Sequence, residues 1–126
     1  MTIELEHANV TVSDADATAA WMCDLFDWKI RWQGPSLDSG RTIHVGTDTS
    51  YLAIYQPAGE TQAKQTSYST RGGLNHLAVV VPDIDAMEKA VSSAGFTAGN
   101  HGDYEPGRRF YFHDHDGIEY EVVQYD

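Results

Sequence analysis

The sequence predicts an α+β fold of two tandem βαβββ modules, whose strands form a cupped mixed β-sheet with the helices on its outer face. Three observations predict it. The chain repeats itself, each copy changes from period-two to helical patterning and back, and each copy carries an Asp where its helical stretch begins. A length of 126 residues suits one domain, or two small half-domains sharing a core.

The repeat is the first of these. At an offset of 69 positions, Leu5, His7, Val10, Val12, Asp14, Asp16 and Ala17 lie over Leu74, His76, Val79, Val81, Asp83, Asp85 and Ala86. Later in each copy, residues 52–56 lie over residues 120–124 at an offset of 68, a one-residue loop difference. The expected modules are about 1–57 and 74–126. Residues 58–73, rich in Gly, Ser, Thr and Gln, join them.

The elements follow in order. Residues 5–12 alternate, with Ala8, Val10 and Val12 on one face and His7, Asn9 and Thr11 on the other. Asp14 or Asp16 caps a helix whose apolar stripe is Ala17, Trp21, Leu25 and Trp28. Strands are expected at 28–33, 41–46 and 50–56. In the second copy, residues 74–81 form a strand and Asp83 caps a helix. Ile84, Met87, Val91 and Ala94 face its core side, and Gly95 ends it. Strands are then expected at 96–98, 108–113 and 119–124.

Strand alternation gives each strand an apolar face for the helices and a second face that looks into the hollow of the sheet. The hollow face is expected to hold His7, Asn9 and Thr11, then Ala53 and Tyr55, then His76, Ala78 and Val80. From 108–113 it takes Arg109, Tyr111 and His113, while Phe110 and Phe112 point to the core. From 119–124 it takes Glu121 and Val123, and His44 joins from 41–46. Imidazoles, a carboxylate, phenols and a guanidinium gather there, which a purely structural sheet does not need.

Composition excludes several classes. The formal net charge of −11 repels phosphate backbones, so no nucleic-acid partner is expected. No apolar run reaches the roughly 20 residues of a membrane helix, so no membrane partner is expected. The N-terminus lacks the basic stretch and apolar block of a secretory signal. The single Cys23 has no partner for an internal disulfide and reads as a small packing residue, consistent with a cytoplasmic location.

The paired strand histidines, the two βαβββ copies and the stretch from Phe110 to Glu121 resemble the glyoxalase/bleomycin-resistance/dioxygenase superfamily, the vicinal oxygen chelate proteins. The resemblance spans nearly the whole chain. Its members commonly read Asp-Pro-Asp-Gly with a metal-binding Glu four residues after the Gly. Here Asp114, His115, Asp116 and Gly117 precede Glu121 at that spacing, with His115 in place of the Pro.

Carried over residue by residue, the resemblance implies ligand positions at His7, Ala53, His76 and Glu121. Ala53 cannot ligate, which counts against glyoxalase I activity. The remaining two His and one Glu imply a divalent metal, Fe(II) or Mn(II) before Zn or Ni, with positions open to a small substrate bearing vicinal oxygens. Ring-cleaving dioxygenases of the superfamily carry a Tyr ten residues before the Glu and a His in a Gly-x-His context. Tyr111 and His101 match these, and both are expected as catalytic residues; the spacing after His101 is one residue longer than usual.

Arg109, Tyr55 and His44 are expected at the substrate. Trp32 is a candidate for a pocket wall, while Trp21 and Trp28 read as core or dimer contacts. The implied activity is dioxygenase- or lyase-like and metal-dependent, in a homodimer. The alternative is a metal-free protein of the same fold that binds a small drug-like molecule.

Overall fold

A computed structural model describes residues 1–126 as two compact units, Met1–Gln62 and Ala63–Asp126. Each is a βαβββ module with one helix and one four-stranded mixed sheet, the α+β architecture read from the repeat. The first module runs β1 (His7–Thr11), α1 (Ala15–Phe26), β2 (Lys29–Pro35), β3 (Arg41–Gly46) and β4 (Tyr51–Gln56). The second runs β5 (Leu77–Val80), α2 (Ile84–Ser93), β6 (Gly99–Tyr104), β7 (Gly107–His113) and β8 (Glu119–Tyr125). The sheet orders are β1-β4-β3-β2 and β5-β8-β7-β6. In each, the first strand pairs parallel with the last and the other pairs are antiparallel.

Alternation on these strands builds the core. In the first module Ile43, Val45, Leu52 and Ile54 are buried with Ala15, Ala19 and Met22 of α1. In the second, Phe110, Phe112, Tyr120 and Val122 are buried with Ile84 and Val91 of α2. Apolar burial of this kind is the main driving force for each module.

The duplication survives as shared hydrogen bonds. Asp14 accepts the Ala17 N–H at 3.0 Å, and Asp83 accepts that of Ala86 at 3.1 Å. Gln56 Oε1 accepts the Ala15 N–H at 2.8 Å, and Gln124 Oε1 accepts that of Ile84 at 2.9 Å. The last strand of each module thus ties down the first N–H of its helix, one of the four that a helix leaves unpaired. Arg41 pairs with Asp16 and Arg108 with Asp85 in the same relation. Asp83→Ala is expected to lower stability by about 1 kcal/mol, read as a lower urea midpoint with an unchanged slope.

Several expectations need correction. The buried face of α1 is Ala15, Thr18, Ala19 and Met22, with Ala17 exposed and Trp21 and Leu25 half-buried. The Thr18 hydroxyl enters the core, which rotates the helix by one residue from the apolar stripe. Trp28 lies beyond the helix, which Asp27 ends in the left-handed region at φ 57°. Ala94 is the exposed C-cap of α2, with Gly95 following at φ 95°. β6 occupies 99–104, not 96–98, and carries a register shift between Gly99 and Gly102. The module division falls inside the segment read as a linker. Its later part folds into turns, with Thr70 N–H to Ser67 C=O at 3.1 Å and Gly73 N–H to Thr70 C=O at 3.0 Å. No helix is long and apolar enough to cross a membrane.

Candidate metal centre

The second module builds its polar face around β8. The turn before it is held by Asp114, whose Oδ1 accepts the N–H of Asp116 at 2.9 Å and of Ile118 at 3.0 Å. Its Oδ2 accepts the Tyr120 hydroxyl at 3.0 Å. Gly117 sits at φ 78°, where an L side chain would be strained. Replacing Pro by His115 leaves this turn intact. Tyr120 and Val122 then point to the core, and Glu119 and Glu121 point to the opposite face.

On that face, His76 Nε2 lies 3.2 Å from Glu121 Oε1. Arg109 Nη1 donates to Glu121 Oε2 at 3.2 Å, so the two carboxylate oxygens face different partners. The Arg109 guanidinium also stacks over the Tyr104 ring at 4.6 Å, and its Nε and Nη2 are buried without a hydrogen-bond partner. Tyr111 lies opposite Glu121 in the ladder and meets His76 edge-on, with ring centroids 5.7 Å apart. Burial, then the neighbouring Glu121 carboxylate, push the Tyr111 phenol above its ordinary range. It is therefore protonated at neutral pH and able to donate a hydrogen bond.

Glu119 was not singled out in the sequence, although it shares the parity of Glu121. Its Oε1 accepts the Tyr68 hydroxyl at 2.5 Å and lies 3.6 Å from His76 Nδ1. Its Oε2 lies 3.4 Å from His113 Nε2. Tyr68 comes from the segment read as a linker. The bond to Glu119 raises its phenol to about 12.

The first module presents rings where the second presents carboxylates. In register, Tyr51 takes the place of Glu119, Ala53 that of Glu121 and His44 that of Tyr111. His7 stacks on Tyr51 at 4.8 Å, Tyr51 on His44 at 4.5 Å, and Trp32 meets His44 at 5.0 Å. Arg31 lies over Tyr51 at 4.5 Å. His7 Nδ1 meets Glu6 Oε1 at 2.9 Å, and Glu6 accepts the Tyr51 hydroxyl at 3.2 Å. Desolvation, then the positive charge near it, hold His44 below the usual imidazole range. Tyr51 was also missed, though positions 51, 53 and 55 share one parity.

Two expected site residues stand elsewhere. Tyr55 donates its hydroxyl to the Leu37 carbonyl at 2.8 Å and so braces the short 3-10 turn at Leu37–Ser39. His101 is on β6, and its Nε2 meets Glu88 of α2 at 2.9 Å. Its ring lies 6.0 Å from that of Phe110, so it belongs to the helix side of the sheet, away from Glu121. Burial and Asp24 raise the Cys23 thiol, which fits a packing role rather than a nucleophile.

Two ligands about 2.1 Å from one ion and about 90° apart lie about 3 Å from each other. His76 Nε2 and Glu121 Oε1 stand at such a separation and offer the nitrogen and oxygen donors of a divalent ion. The second module therefore offers two of the six positions of an octahedral ion. The chain gathers no group of three or more His, Cys, Asp and Glu side chains able to hold a metal ion.

Two βαβββ modules, with His7 opening the first strand of one and His76 immediately before the first strand of the other, define a vicinal-oxygen-chelate fold. The chain belongs to the Glyoxalase/Bleomycin resistance protein/Dioxygenase superfamily, whose family model matches residues 4–122. Among solved structures it is similar to a glyoxylase/bleomycin resistance protein/dioxygenase domain from Frankia sp. EAN1pec, at 24% identity and a TM-score of 0.83, covering 100% of this chain and 94% of that one. It is also similar to the fosfomycin resistance protein FosX from Mesorhizobium loti, at 23% identity and 0.73, covering 98% and 92%. FosX from Listeria monocytogenes, solved with Mn(II) and sulfate, matches at 18% identity and 0.75, covering 100% and 95%. None of the curated proteins searched matches the chain.

Proposed function

We propose that this protein is a divalent-metal-dependent enzyme that holds its ion through His7, His76 and Glu121 and acts on a small substrate with vicinal oxygens. The observation that carries the reading is the His76–Glu121 pair, an imidazole nitrogen 3.2 Å from a carboxylate oxygen on one polar sheet face. His7 stands at the repeat-equivalent position of the first module. The Mn(II) in the Listeria FosX structure supports Mn(II) or Fe(II) before Zn or Ni.

A divalent ion held there would supply Lewis acidity and would lower the pKa of a substrate hydroxyl or water bound to it. The protein's own groups do the rest. Arg109 fixes one oxygen of Glu121 and leaves the other for the ion, and its charge favours an anionic substrate beside it. Tyr111, protonated and beside His76, donates a hydrogen bond or proton to a substrate oxygen. With Ala53 in place of a fourth ligand, a dioxygenase- or lyase-like reaction fits better than that of glyoxalase I. We place the protein in the cytoplasm as a homodimer, the symmetric arrangement most common for such chains.

A second reading is favoured by the rings of the first module. Trp32, His44, Tyr51 and His7 form a run of ring contacts, and Trp32 is 48% exposed. Such a face suits a planar or cationic organic molecule without metal.

One experiment separates the two. Wild-type protein is titrated anaerobically with Mn(II) and Fe(II) by calorimetry, followed by oxygen uptake with catechols. One ion per site, lost in His76→Ala and in His7→Ala, is the expected result. If folded wild type takes up no ion, the metal reading fails. Quenching of Trp32 fluorescence by planar cations in metal-free protein would then support the second. Mixing His7→Ala with Glu121→Ala chains restores binding only where two chains share a site.

A further inference from the structure

Arg109 uses only one corner of its guanidinium within the protein. Nη1 donates to Glu121 Oε2 at 3.2 Å, while Nε and Nη2 are buried and have no hydrogen-bond partner. These two nitrogens share one edge of the planar group, and their N–H bonds run parallel. They form the fork with which an arginine grips a two-oxygen anion. Buried donors are normally paired, and leaving a charged one unpaired is more unfavourable than leaving a neutral one. A fork of this kind beside Glu121 is suited to an oxyanion that a ligand brings.

The Tyr104 ring covers the guanidinium, stacked on it at 4.6 Å, and Tyr104 is itself 60% exposed. Gly102 lets it lie there. It stands two residues before Tyr104 on the same face of β6 and is the register partner of Arg109. A Cβ on Gly102 would sit 2.6 Å from Tyr104 Cε1 and 3.4 Å from Arg109 Cγ, so any larger residue pushes the ring off the guanidinium. Tyr104 ends β6, an edge strand that pairs with β7 alone. An exposed ring there swings outward by side-chain rotation, with no change in the backbone.

We infer that Arg109 takes a two-oxygen anionic group of the substrate on Nε and Nη2, and that Tyr104 is a movable cover which this group displaces. The inference rests on the reading of this sheet face as the substrate site. It adds that the substrate carries a negative charge besides its vicinal oxygens. An uncharged diol leaves the fork unused and the ring in place, so Arg109 and Tyr104 together select against it.

The test uses metal-free protein, titrated by calorimetry with benzoate, phenylphosphonate and uncharged benzamide. At least one anion should bind about tenfold more tightly than benzamide, and the better of the two identifies the group. Arg109→Lys keeps the charge and loses the fork, so this preference should fall by about tenfold. Tyr104→Ala removes the ring, and Gly102→Ala displaces it without removing it. Both should tighten anion binding by about threefold, the strength of the contact that the anion otherwise has to break. In nitrogen-15 spectra the Arg109 Nε–H resonance should move with the anion and stay still with benzamide. Anions that bind no better than benzamide overturn the inference, as does a preference that survives Arg109→Lys. Weaker anion binding in both Tyr104→Ala and Gly102→Ala overturns the cover and makes the ring part of the grip. A wild type that prefers the anion but takes up no Mn(II) overturns the metal reading instead and leaves this one standing.

Discussion

Glu121→Ala is expected to lose Mn(II) affinity by more than about 100-fold, beyond the loss from removing an outer-shell partner. The alanine removes the one carboxylate that meets His76 Nε2, and with it the negative charge that offsets a divalent ion. A second effect accompanies it. The Arg109 side chain is only 14% exposed and its Nη1 donates to Glu121. Removing its anion leaves a nearly buried guanidinium uncompensated, at a cost of about 2 kcal/mol in stability. The two effects separate in Glu121→Ala/Arg109→Met. With the orphaned charge gone, most of the stability returns, as a non-additive cycle, while metal binding stays lost. Glu121→Gln should keep the packing and lose the ion. Undiminished Mn(II) binding in Glu121→Ala would remove this residue from the ligand set.

Much of this site was legible because strand alternation is strict. Once residues 107–113 and 119–125 are strands, Phe110, Phe112, Tyr120 and Val122 must face one way and Arg109, Tyr111 and Glu121 the other. The same parity also names Glu119 and Tyr51. Neither stands at a position that the superfamily pattern marks, which are Glu121 and Ala53 on the same strands. Other features had no local signal. Tyr68 lies in a stretch of Thr, Ser and Gly with no strand or helix periodicity, and the partner of its hydroxyl, Glu119, is far along the chain. β6 reads Gly-Asn-His-Gly-Asp-Tyr, with few good strand formers, and it exists because β7 offers it an edge. His101 sits there beside a register shift, so counting from a Gly-x-His pattern could not tell which face it takes. The α1 stripe was off by one residue because a buried Thr18 looks polar in sequence.

The turn that aims Glu119 and Glu121 is the most exposed to damage. Asp114 is 6% exposed and takes three hydrogen bonds, from the Asp116 and Ile118 N–H groups and the Tyr120 hydroxyl. Asp114→Ala removes the common acceptor of these three hydrogen bonds and is expected to cost about 3 kcal/mol, measured by urea unfolding. Tyr120→Phe keeps the ring packed against Phe112 at 5.2 Å and loses one bond, so about 1 kcal/mol is expected. The pH dependence tells these apart. Burial first, then the Asp114 charge, raise the Tyr120 phenol far above its ordinary 10.0. In the unfolded chain that phenol ionises near 10.0, while in the fold it stays protonated. Its contribution is therefore complete below pH 10 and falls as the pH rises beyond it, because the unfolded state sheds a proton that the folded state retains. Wild type should show this alkaline loss and Tyr120→Phe should show less of it. A loss under about 1 kcal/mol in Asp114→Ala would mean that the turn is held by its backbone bonds and Gly117 alone.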